Sequence, residues 1–425
     1  MKTVIDALET RGFIDAVTSD ELKEQSKEPL KLYLGIDPTA DSLHLGNLVG
    51  VVALCWFQKY GHTPVVLVGG GTGKIGDPSG KSVERPLLDE KTILQNVLKI
   101  QQQLEKWLDF SHPTAPPLMV NNDDWLSSFS LIAFMRDIGK HFRMGPMLSK
   151  ESVKTRIQSE EGMSFTEFTY QVLQGFDFYH LYKEKGISLQ IGGSDQWGNI
   201  TAGIELTRRL LGAQVFGMTY PLLIRSDGVK FGKSEDGAIW LDPEKTSPYQ
   251  FYQYLVCVAD EDVITLMRML TFIDFDEIKA YEADIKSGSF TPFAAQKRLA
   301  EEVTEFVHGE EGLRIALRIT EILAPGSKAV LEPEVLKEGV RDMPHIHLPL
   351  NEVMSQKITD LLAKSTVVTS KAEAQRLIKN GGAYLNNEKI QSPDLTIEAK
   401  HVIGQKYLLL GAGKKRKVLV VIQNG

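Results

Sequence analysis

The chain has 425 residues, more than one compact core holds, so two or three domains are expected. Its composition, 42% hydrophobic and 24% charged, is typical of a soluble globular protein, and no apolar run is long enough to cross a bilayer. The N-terminal residues lack the apolar core of a secretion signal, and two cysteines, Cys55 and Cys257, are too few for a disulfide framework or a zinc cluster. The sequence therefore predicts a cytoplasmic protein without a structural metal.

The charge is unevenly distributed along the chain. The net charge is −7, but residues 351–425 hold 12 basic and 6 acidic side chains, which leaves −13 for residues 1–350. A basic region attached to an acidic body favours binding of a polyanion such as RNA. A basic tail that serves only solubility is the alternative that charge alone leaves open.

The first third of the chain predicts the beginning of a parallel sheet. Residues 1–29 are expected to form amphipathic helix, because their apolar side chains recur at helical spacing. A strand at 30–36, a helix at 48–60 and a strand at 64–68 then form a βαβ unit. This order predicts a doubly wound α/β fold.

Three polar or small residues, His44, Gly46 and Asn47, lie where that helix begins. A helix N-terminus attracts phosphate through its unpaired N–H groups and the positive end of its dipole. Glycine lets a ligand approach the backbone, and the two side chains can donate hydrogen bonds to phosphate oxygens. An ordinary turn histidine is the alternative for His44 alone.

The glycine-rich segment 69–82 follows the second strand and matches two nucleotide motifs incompletely. It contains G-x-G-x-x-G, but Pro78 and Gly80 break the helix that a dinucleotide fold needs at this point. It also imitates a P-loop, but with three residues between the glycines instead of four. The segment therefore still predicts a phosphate-binding loop, whereas a dinucleotide oxidoreductase and a P-loop nucleoside triphosphatase are excluded.

Further polar groups follow later elements. Tyr170, Gln174 and Asp177 share one face of a predicted helix, and a buried face that contains them needs polar partners. The strand at 189–191 is followed by two glycines, at the sheet edge where ligands bind in open α/β folds. The segment 230–234, Lys-Phe-Gly-Lys-Ser, predicts a mobile cationic loop, with a merely solvated loop as the alternative.

The last part of the chain is predicted to be helical and then mixed. Five helices are expected between residues 249 and 322, and the prolines of 326–350 predict a linker. Beyond it, a helix capped by Ser370, a hairpin around Asn386-Asn387 and strands at 402–410 and 418–421 are expected.

Together these motifs resemble the class I aminoacyl-tRNA synthetases. His44-Leu-Gly-Asn47 and the Lys230–Ser234 run are similar to the two signatures of that class, HIGH and KMSKS. The runs 170–177 and 192–199 narrow the resemblance to bacterial tyrosyl-tRNA synthetases, and the end of the chain is similar to the S4 RNA-binding fold.

The resemblance implies a domain order: a Rossmann-like catalytic domain at 1–225 with a connective insertion at about 115–165, the KFGKS loop and an α-helical domain at 226–325, the linker, and an S4-like α+β domain at 351–425. It also implies an activity. L-tyrosine would react with Mg-ATP to give tyrosyl-adenylate and pyrophosphate, and the tyrosyl group would pass to tRNA(Tyr). No tightly bound cofactor is expected, and a homodimer is implied, with its interface and a grip on the tRNA acceptor stem in the insertion.

The resemblance assigns roles residue by residue. The catalytic residues it implies are Thr39, His44, Lys230 and Lys233. The tyrosine-binding residues it implies are Tyr33, Asp77, Tyr170, Gln174, Asp177 and Gln196. The ATP-binding residues it implies are Gly35, Asp37, Gly46, Asn47, Gly192, Asp195, Lys233 and Ser234. Lys81 and Arg85 are expected near the pyrophosphate. The RNA-binding residues it implies are Arg376, Lys379, Lys389, Lys414, Lys415, Arg416 and Lys417.

Three other functions compete with this one. Tryptophanyl-tRNA synthetase has the same fold, but Asp177 with Tyr33 and the basic C-terminal region favour tyrosine. A small-metabolite nucleotidyltransferase has no use for an RNA module, and a non-catalytic RNA-binding or splicing protein does not need KFGKS. One residue departs from the class pattern: Asn47 stands where histidine is common, so an amide donor must replace imidazole there.

Overall fold

The computed structural model describes residues 2–79, 87–234, 237–288, 291–324, 327–413 and 416–423. The chain forms two compact units, one of residues 1–245 and 258–302 and the other of residues 246–257 and 303–425. The predicted helical region at 226–325 is therefore divided between the two units.

The described strands and helices follow the chain in this order. The strands are β1 Ala16–Val17, β2 Lys31–Ile36, β3 Thr63–Val68, β4 Leu118–Asn121, β5 Leu189–Gly193, β6 Phe216–Tyr220, β7 Lys233–Ser234, β8 Gly237–Ala238, β9 His345–Pro349, β10 Ala383–Leu385, β11 Glu388–Lys389, β12 Tyr407–Ala412 and β13 Arg416–Gln423. The helices are α1 Val4–Thr10, α2 Glu21–Gln25, α3 Leu45–Lys59, α4 Glu90–Leu104, α5 Asp123–Leu126, α6 Leu131–Asp137, α7 Met144–Ser149, α8 Glu151–Ile157, α9 Phe165–Lys185, α10 Trp197–Leu211, α11 Pro248–Val256, α12 Asp260–Leu270, α13 Phe275–Ser287, α14 Ala294–Leu323, α15 Pro333–Gly339, α16 Ile358–Lys364 and α17 Lys371–Lys379.

The first unit is built on a six-stranded sheet of order β1-β6-β5-β2-β3-β4, parallel except for β1. The chain builds outwards from β2 through β3 and β4, and then resumes at β5 on the other side of β2. The order thus reverses between β2 and β5, and ligands bind at the carboxyl ends of the strands at such a reversal. The predicted doubly wound fold is confirmed.

The predicted β2–α3–β3 unit is present with small shifts of its ends, but residues 1–29 differ from the prediction. Gly12, with φ of 71°, ends helix α1, and the chain then forms β1, which pairs Ala16 with Thr219 of β6. A sheet edge that needs a partner strand thus overrides the local helical pattern of this segment.

Helix α9 has strong signals at both ends. Ser164 and Glu167 form a capping box at its start, and Gly186 ends it with φ of 67°. Glu167 is also paired with Arg156 in a bidentate ion pair whose side chains are only 2% and 4% exposed. The helix that carries Tyr170 and Asp177 is therefore fixed at its N-terminus.

The second unit contains a five-stranded sheet of order β11-β10-β12-β13-β9. Its two faces bury different cores because side chains alternate along a strand: Leu408 and Val420 face one cluster, Leu409 and Leu419 the other. The hairpin turn at Asn386 and Asn387 is as predicted, and both residues have positive φ.

Two predictions for this region need correction. The segment 326–350 is not a plain linker in its described part, since it contains α15 and β9, and β9 pairs in parallel with β13. The strand expected from 402 begins instead at Tyr407, because Gly404 and Gln405 turn the chain with φ values of 50° and 58°.

Candidate functional site

A cavity of about 420 Å³ opens at the carboxyl ends of β2 and β5, where the strand order reverses. It brings together sixteen of the predicted site residues. They are Tyr33, Gly35, Asp37, Thr39, His44, Gly46, Asn47, Asp77, Tyr170, Gln174, Asp177, Gly192, Asp195, Gln196, Lys230 and Lys233. Ser234 lies in β7, and its side chain falls outside the described part of the structure, as do Lys81 and Arg85.

The deepest polar group of the cavity is the carboxyl group of Asp177, which is 1% exposed. Trp125 Nε1 donates to its Oδ1 at 2.7 Å, and Asn122 Nδ2 donates to its Oδ2 at 2.9 Å. Burial raises the pKa of Asp177 to about 7, against the opposing effect of these two donors. A carboxyl group held in this way offers its remaining lone pairs to a hydroxyl donor in the cavity.

Two other buried polar groups in the cavity lack partners among the described residues. They are the hydroxyl of Tyr33 and the amide oxygen of Gln190, and both residues are 1% exposed. The two side chains are neighbours because Tyr33 and Gln190 face each other in the register of β2 and β5. Buried polar groups are normally hydrogen-bonded, so this end of the cavity is built for a polar ligand.

Asp37 organises the middle of the cavity. The Tyr170 hydroxyl donates to its Oδ2 at 2.7 Å, and the Thr72 hydroxyl donates to its Oδ1 at 2.7 Å. Burial, with Asp37 nearby, raises the pKa of the Tyr170 hydroxyl well above its usual value. Asp37, for which the sequence predicts ATP binding, is thus hydrogen-bonded to Tyr170, one of the residues predicted to bind tyrosine.

A second carboxylate lies opposite, on the glycine-rich segment. Gln196 Nε2 donates to Asp77 Oδ2 at 2.7 Å, and the Ser79 amide donates to Asp77 Oδ1 at 2.9 Å. Gln174 is joined to this set through Asn199, whose Nδ2 donates to Gln174 Oε1 at 3.0 Å. Two carboxylates with neutral amide and hydroxyl partners form an acidic region suited to an ammonium group.

The outer end of the cavity is formed by the start of α3 and by the cationic loop. His44 is the N-cap of α3, and its backbone N–H donates to Asn47 Oδ1 at 3.1 Å. Gly46 leaves the helix start open, since a Cβ there would lie 3.0 Å from the His44 ring. Lys230 and Lys233 are exposed and line the same cavity. Asp195 lines it too, and burial raises the pKa of its carboxyl group. Cations and helix N–H groups therefore converge where phosphates are expected.

The sequence reasoning assigned no role to four residues that belong to this site: Thr72, Asn122, Trp125 and Gln190. Asn122 and Trp125 directly follow β4, so their position at the carboxyl edge of the sheet was the available signal. Gln190 is a polar residue inside a strand that is otherwise apolar and glycine, which is a further signal. Thr72 gave no such signal.

Comparison with known proteins decides the family. Residues 24–323 match the family model described as class I tRNA synthetases, W and Y, and residues 335–420 match that of the tyrosine–tRNA ligase SYY-like C-terminal domain. The chain belongs to the class I tRNA synthetases. The predicted membership of this class is confirmed.

Several relatives extend along the whole chain. A tyrosine–tRNA ligase of Protochlamydia amoebophila is 55% identical over 99% of both chains. The chloroplastic/mitochondrial tyrosine–tRNA ligase of Arabidopsis thaliana is 47% identical over 99% of this chain and 83% of its own. A C-terminally truncated mitochondrial tyrosyl-tRNA synthetase of Aspergillus nidulans has a crystal structure that superposes with a TM-score of 0.65 at 31% identity, covering 74% of this chain and 92% of its own. In the chain described here, no described helix is both long and apolar enough to span a membrane.

A second, larger cavity of about 1070 Å³ adjoins the first and shares Asp195 and Leu222 with it. Its walls include Lys150, whose Nζ donates to the Gly198 carbonyl at 2.6 Å, and burial lowers the pKa of this ammonium to about 8. The other basic residues of its wall are Arg143, Arg156 and Arg209. Arg156 is paired with Glu167, and Arg209 is paired with Glu205 of the same wall, so Arg143 and Lys150 are the cations of this wall that we expect to meet a polyanion.

The basic residues of the C-terminal region do not all share one surface. Arg376, Lys379, Lys389 and Arg416 are exposed. Hydrogen bonds from Thr369 lower the pKa of Glu373 most, and the charges of Arg416 and Arg376 lower it further. Lys414 and Lys415 lie outside the described residues.

Lys417 departs from its predicted RNA-binding role. It lies on the strand face of Leu419 and Val421, and its Nζ donates to the Ile322 carbonyl and to Asn387 Oδ1. Strand alternation therefore directs this ammonium to the end of α14, whereas Arg416 faces the other way.

Proposed function

We propose that this chain is a tyrosine–tRNA ligase. It activates L-tyrosine with ATP to tyrosyl-adenylate and pyrophosphate, and it transfers the tyrosyl group to the 3′ end of tRNA(Tyr). The names of the relatives support this proposal, and so does the geometry of the cavity at the β2–β5 reversal.

One observation carries the choice of amino acid: the paired recognition groups at the deep end of the cavity. Asp177 is the acceptor for the phenol proton, and the unpartnered Tyr33 hydroxyl donates to the phenol oxygen. Phenylalanine would leave the buried Tyr33 hydroxyl without an acceptor and would bring no donor to the remaining lone pairs of Asp177, which is costly. Rejection of phenylalanine on this ground is well known in tyrosyl-tRNA synthetases. Tryptophan would place an indole N–H near Asp177 and give Tyr33 no acceptor.

The remaining groups fix the reacting end of the amino acid. The ammonium lies between Asp77, Tyr170 and Gln174, and Gln196 holds the carboxylate or the α-phosphate. The tyrosine carboxylate attacks the α-phosphorus of ATP, and pyrophosphate leaves, so no side chain acts as nucleophile. Catalysis is then alignment together with stabilisation of charge.

ATP occupies the outer end of the cavity. Gly46 and Asn47 contact the nucleotide, and Gly35, Gly192 and Asp195 hold the ribose and its surroundings. Thr39 and His44 bind the γ-phosphate, and Lys230 and Lys233 neutralise the departing pyrophosphate. Mg²⁺ arrives with ATP as part of the substrate and screens the phosphates.

The tRNA binds in two places on the proposed enzyme. Its acceptor end enters the larger cavity, which shares Asp195 and Leu222 with the first. The exposed cations Arg376, Lys379, Lys389 and Arg416 bind structured RNA through phosphate contacts, as in an S4-like module. A cytoplasmic location fits these partners.

The same chain is proposed to form a homodimer through its insertion. Large apolar side chains are exposed there, and several such side chains on one segment favour a protein interface. They are Leu131, Ile132, Met135, Met144, Leu148, Ile157 and Phe165. Sedimentation of Ile132→Glu should show a monomer, and an unchanged sedimentation coefficient from a wild-type dimer would remove this surface as the interface.

ATP–pyrophosphate exchange with single amino acids tests the proposed function. We expect exchange with L-tyrosine, and aminoacylation of tRNA(Tyr) by the same preparation. Exchange with tryptophan and none with tyrosine would refute the proposal.

A further inference from the structure

The chain returns from the cationic loop through residues 239–245, which we call the return segment. An ion-pair network outside the two signature motifs holds this segment. Asp41 accepts from Lys245 Nζ at 2.5 Å and from Lys99 Nζ at 2.7 Å. These two lysines lower the pKa of Asp41 to about 2, with Lys245 contributing most. The Lys245 ammonium also lies 5.2 Å from the centre of the Trp240 ring. One carboxylate bound by two cations forms a network, and surface ion pairs contribute measurably to stability when they form a network.

The backbone on either side of this network connects the two signature loops. The Leu45 amide donates to the Ile239 carbonyl at 2.8 Å, and the Leu241 amide donates to the Leu43 carbonyl at 2.9 Å. Trp240 lies between these two bonds, opposite His44, and its side chain lines the first cavity. The segment that returns from the KFGKS loop is thus paired with the turn that leads into α3.

The loop itself is in close contact with the start of α3. The Ile239 amide donates to the Gly232 carbonyl at 2.9 Å, and β7 pairs with β8. A Cβ at Gly232 would lie 3.0 Å from the Gly46 nitrogen, and Gly232 has φ of 87°. Lys230 and Lys233 flank this glycine, so a small displacement of the return segment displaces both ammonium groups.

From these contacts we propose that Asp41, through its ion pair with Lys245, is a positioning residue that holds the KFGKS loop against the start of α3. Asp41 does not line the first cavity. It lies four residues after Asp37 and three before His44, so its pair with Lys245 joins the loop that follows β2 to the segment that follows β8. The proposal rests on the proposed roles of Lys230 and Lys233 in binding pyrophosphate.

Pre-steady-state adenylate formation tests this proposal on the full-length protein. Asp41→Asn and Lys245→Met should each lower the adenylation rate about tenfold and raise the KM for ATP, because displacement of about 1 Å misaligns the cations. The dissociation constant for tyrosine should stay within about twofold, since Asp177 and Tyr33 are untouched. The double variant should be no slower than either single one, because both act through one pair.

Lys99→Met is the matched control. It removes the other cation from the same carboxylate and leaves the Asp41–Lys245 pair, so its adenylation rate should be near that of the wild type. Rates near wild type in both Asp41→Asn and Lys245→Met would overturn the proposal. So would an equal loss in tyrosine affinity and in rate, accompanied by a fall in melting temperature, because that pattern is general destabilisation. Lys233→Met tests the underlying role separately: if it adenylates at the wild-type rate, the proposed clamp itself is wrong.

Discussion

At the scale of single residues, the end of the cavity at Asp177 and Tyr33 buries polar groups at a cost in stability. Asp177 is buried beside two donors, and the Tyr33 hydroxyl is buried with no hydrogen-bond partner among the described residues, so both polar groups can meet a substrate. Such groups destabilise the folded protein until a ligand satisfies them. Recognition and stability are therefore opposed at this site.

Tyr33→Phe separates the two effects. Because the lost hydroxyl has no partner within the described residues, we expect the melting temperature of the ligand-free protein to be unchanged or higher. The KM for tyrosine in pyrophosphate exchange should rise about 2- to 10-fold, the cost of one neutral hydrogen bond. A variant that is less stable and binds tyrosine as well as the wild type would show that the hydroxyl serves the fold instead.

The raised pKa of Asp177 predicts a pH dependence of tyrosine binding. The carboxylate must be ionised to accept the phenol proton, so the KM for tyrosine should rise as the pH falls below about 7. In Asp177→Asn this dependence should disappear. If the wild type and the variant follow the same curve, another group is responsible.

The same shift predicts the pH dependence of stability. An unfolded aspartate titrates near 3.8 and the folded Asp177 near 7, so between these values the folded state binds more protons. Stability contributed by this group is therefore present at low pH and is lost as the pH rises towards 7. Urea unfolding at several pH values should show a less negative slope in Asp177→Asn than in the wild type.

At the scale of elements, helix α9 connects helix α8 to the end of the cavity at Asp177. Its first turn carries Glu167, which is bound to Arg156 of α8, and the following turns carry Tyr170 and Asp177. The pair is almost fully buried, so its geometry is held more rigidly than that of a surface ion pair.

Arg156→Met should break this arrangement and leave Glu167 buried without its cation. We expect the free energy of unfolding to fall by about 3–5 kcal/mol, because an uncompensated buried charge is left. Arg156→Lys should recover part of the loss, and the melting temperature of each variant checks this. A loss below about 1 kcal/mol in Arg156→Met would mean that Glu167 finds another partner.

Elements with strong local signals could be predicted from the sequence, and those that depend on distant partners could not. Ser164, Glu167 and Gly186 mark the ends of α9, and Asn386-Asn387 marks a turn, because each acts within a few residues. Strands β1 and β9 form because each pairs with a sheet strand that is distant in sequence. The local pattern therefore predicted helix for the first segment and a linker for the second, and both predictions were wrong. Likewise, sixteen site residues follow from motifs, whereas Thr72 joins the site through hydrogen bonds with Asp37 and Asn122, which are distant from it in sequence.

At the scale of the whole molecule, the C-terminal sheet limits how the RNA-binding proposal can be tested. One of its cores joins Ile319 and Leu336 to Leu409 and Val421, so removal of residues 351–425 would expose that core. Substitutions at exposed cations keep this unit intact and are the better test.

Arg376→Glu is such a substitution, and it should weaken charging without affecting activation. We expect the KM for tRNA to rise about 3- to 10-fold and its salt dependence to become shallower by about one phosphate contact. Pyrophosphate exchange should be unchanged, and Lys357→Glu, on a residue outside the predicted RNA-binding set, is the control. Equal charging by the wild type and Arg376→Glu would remove this residue from the RNA-binding surface.

The most direct test of the account is the position of L-tyrosine in a crystal of the protein grown with that amino acid. The account predicts the phenolic oxygen within hydrogen-bonding distance of both Asp177 and Tyr33, with the ammonium beside Asp77 and Tyr170. Tyrosine bound in another cavity, or bound here with its phenol towards Lys230 and its ammonium at Asp177, would contradict it.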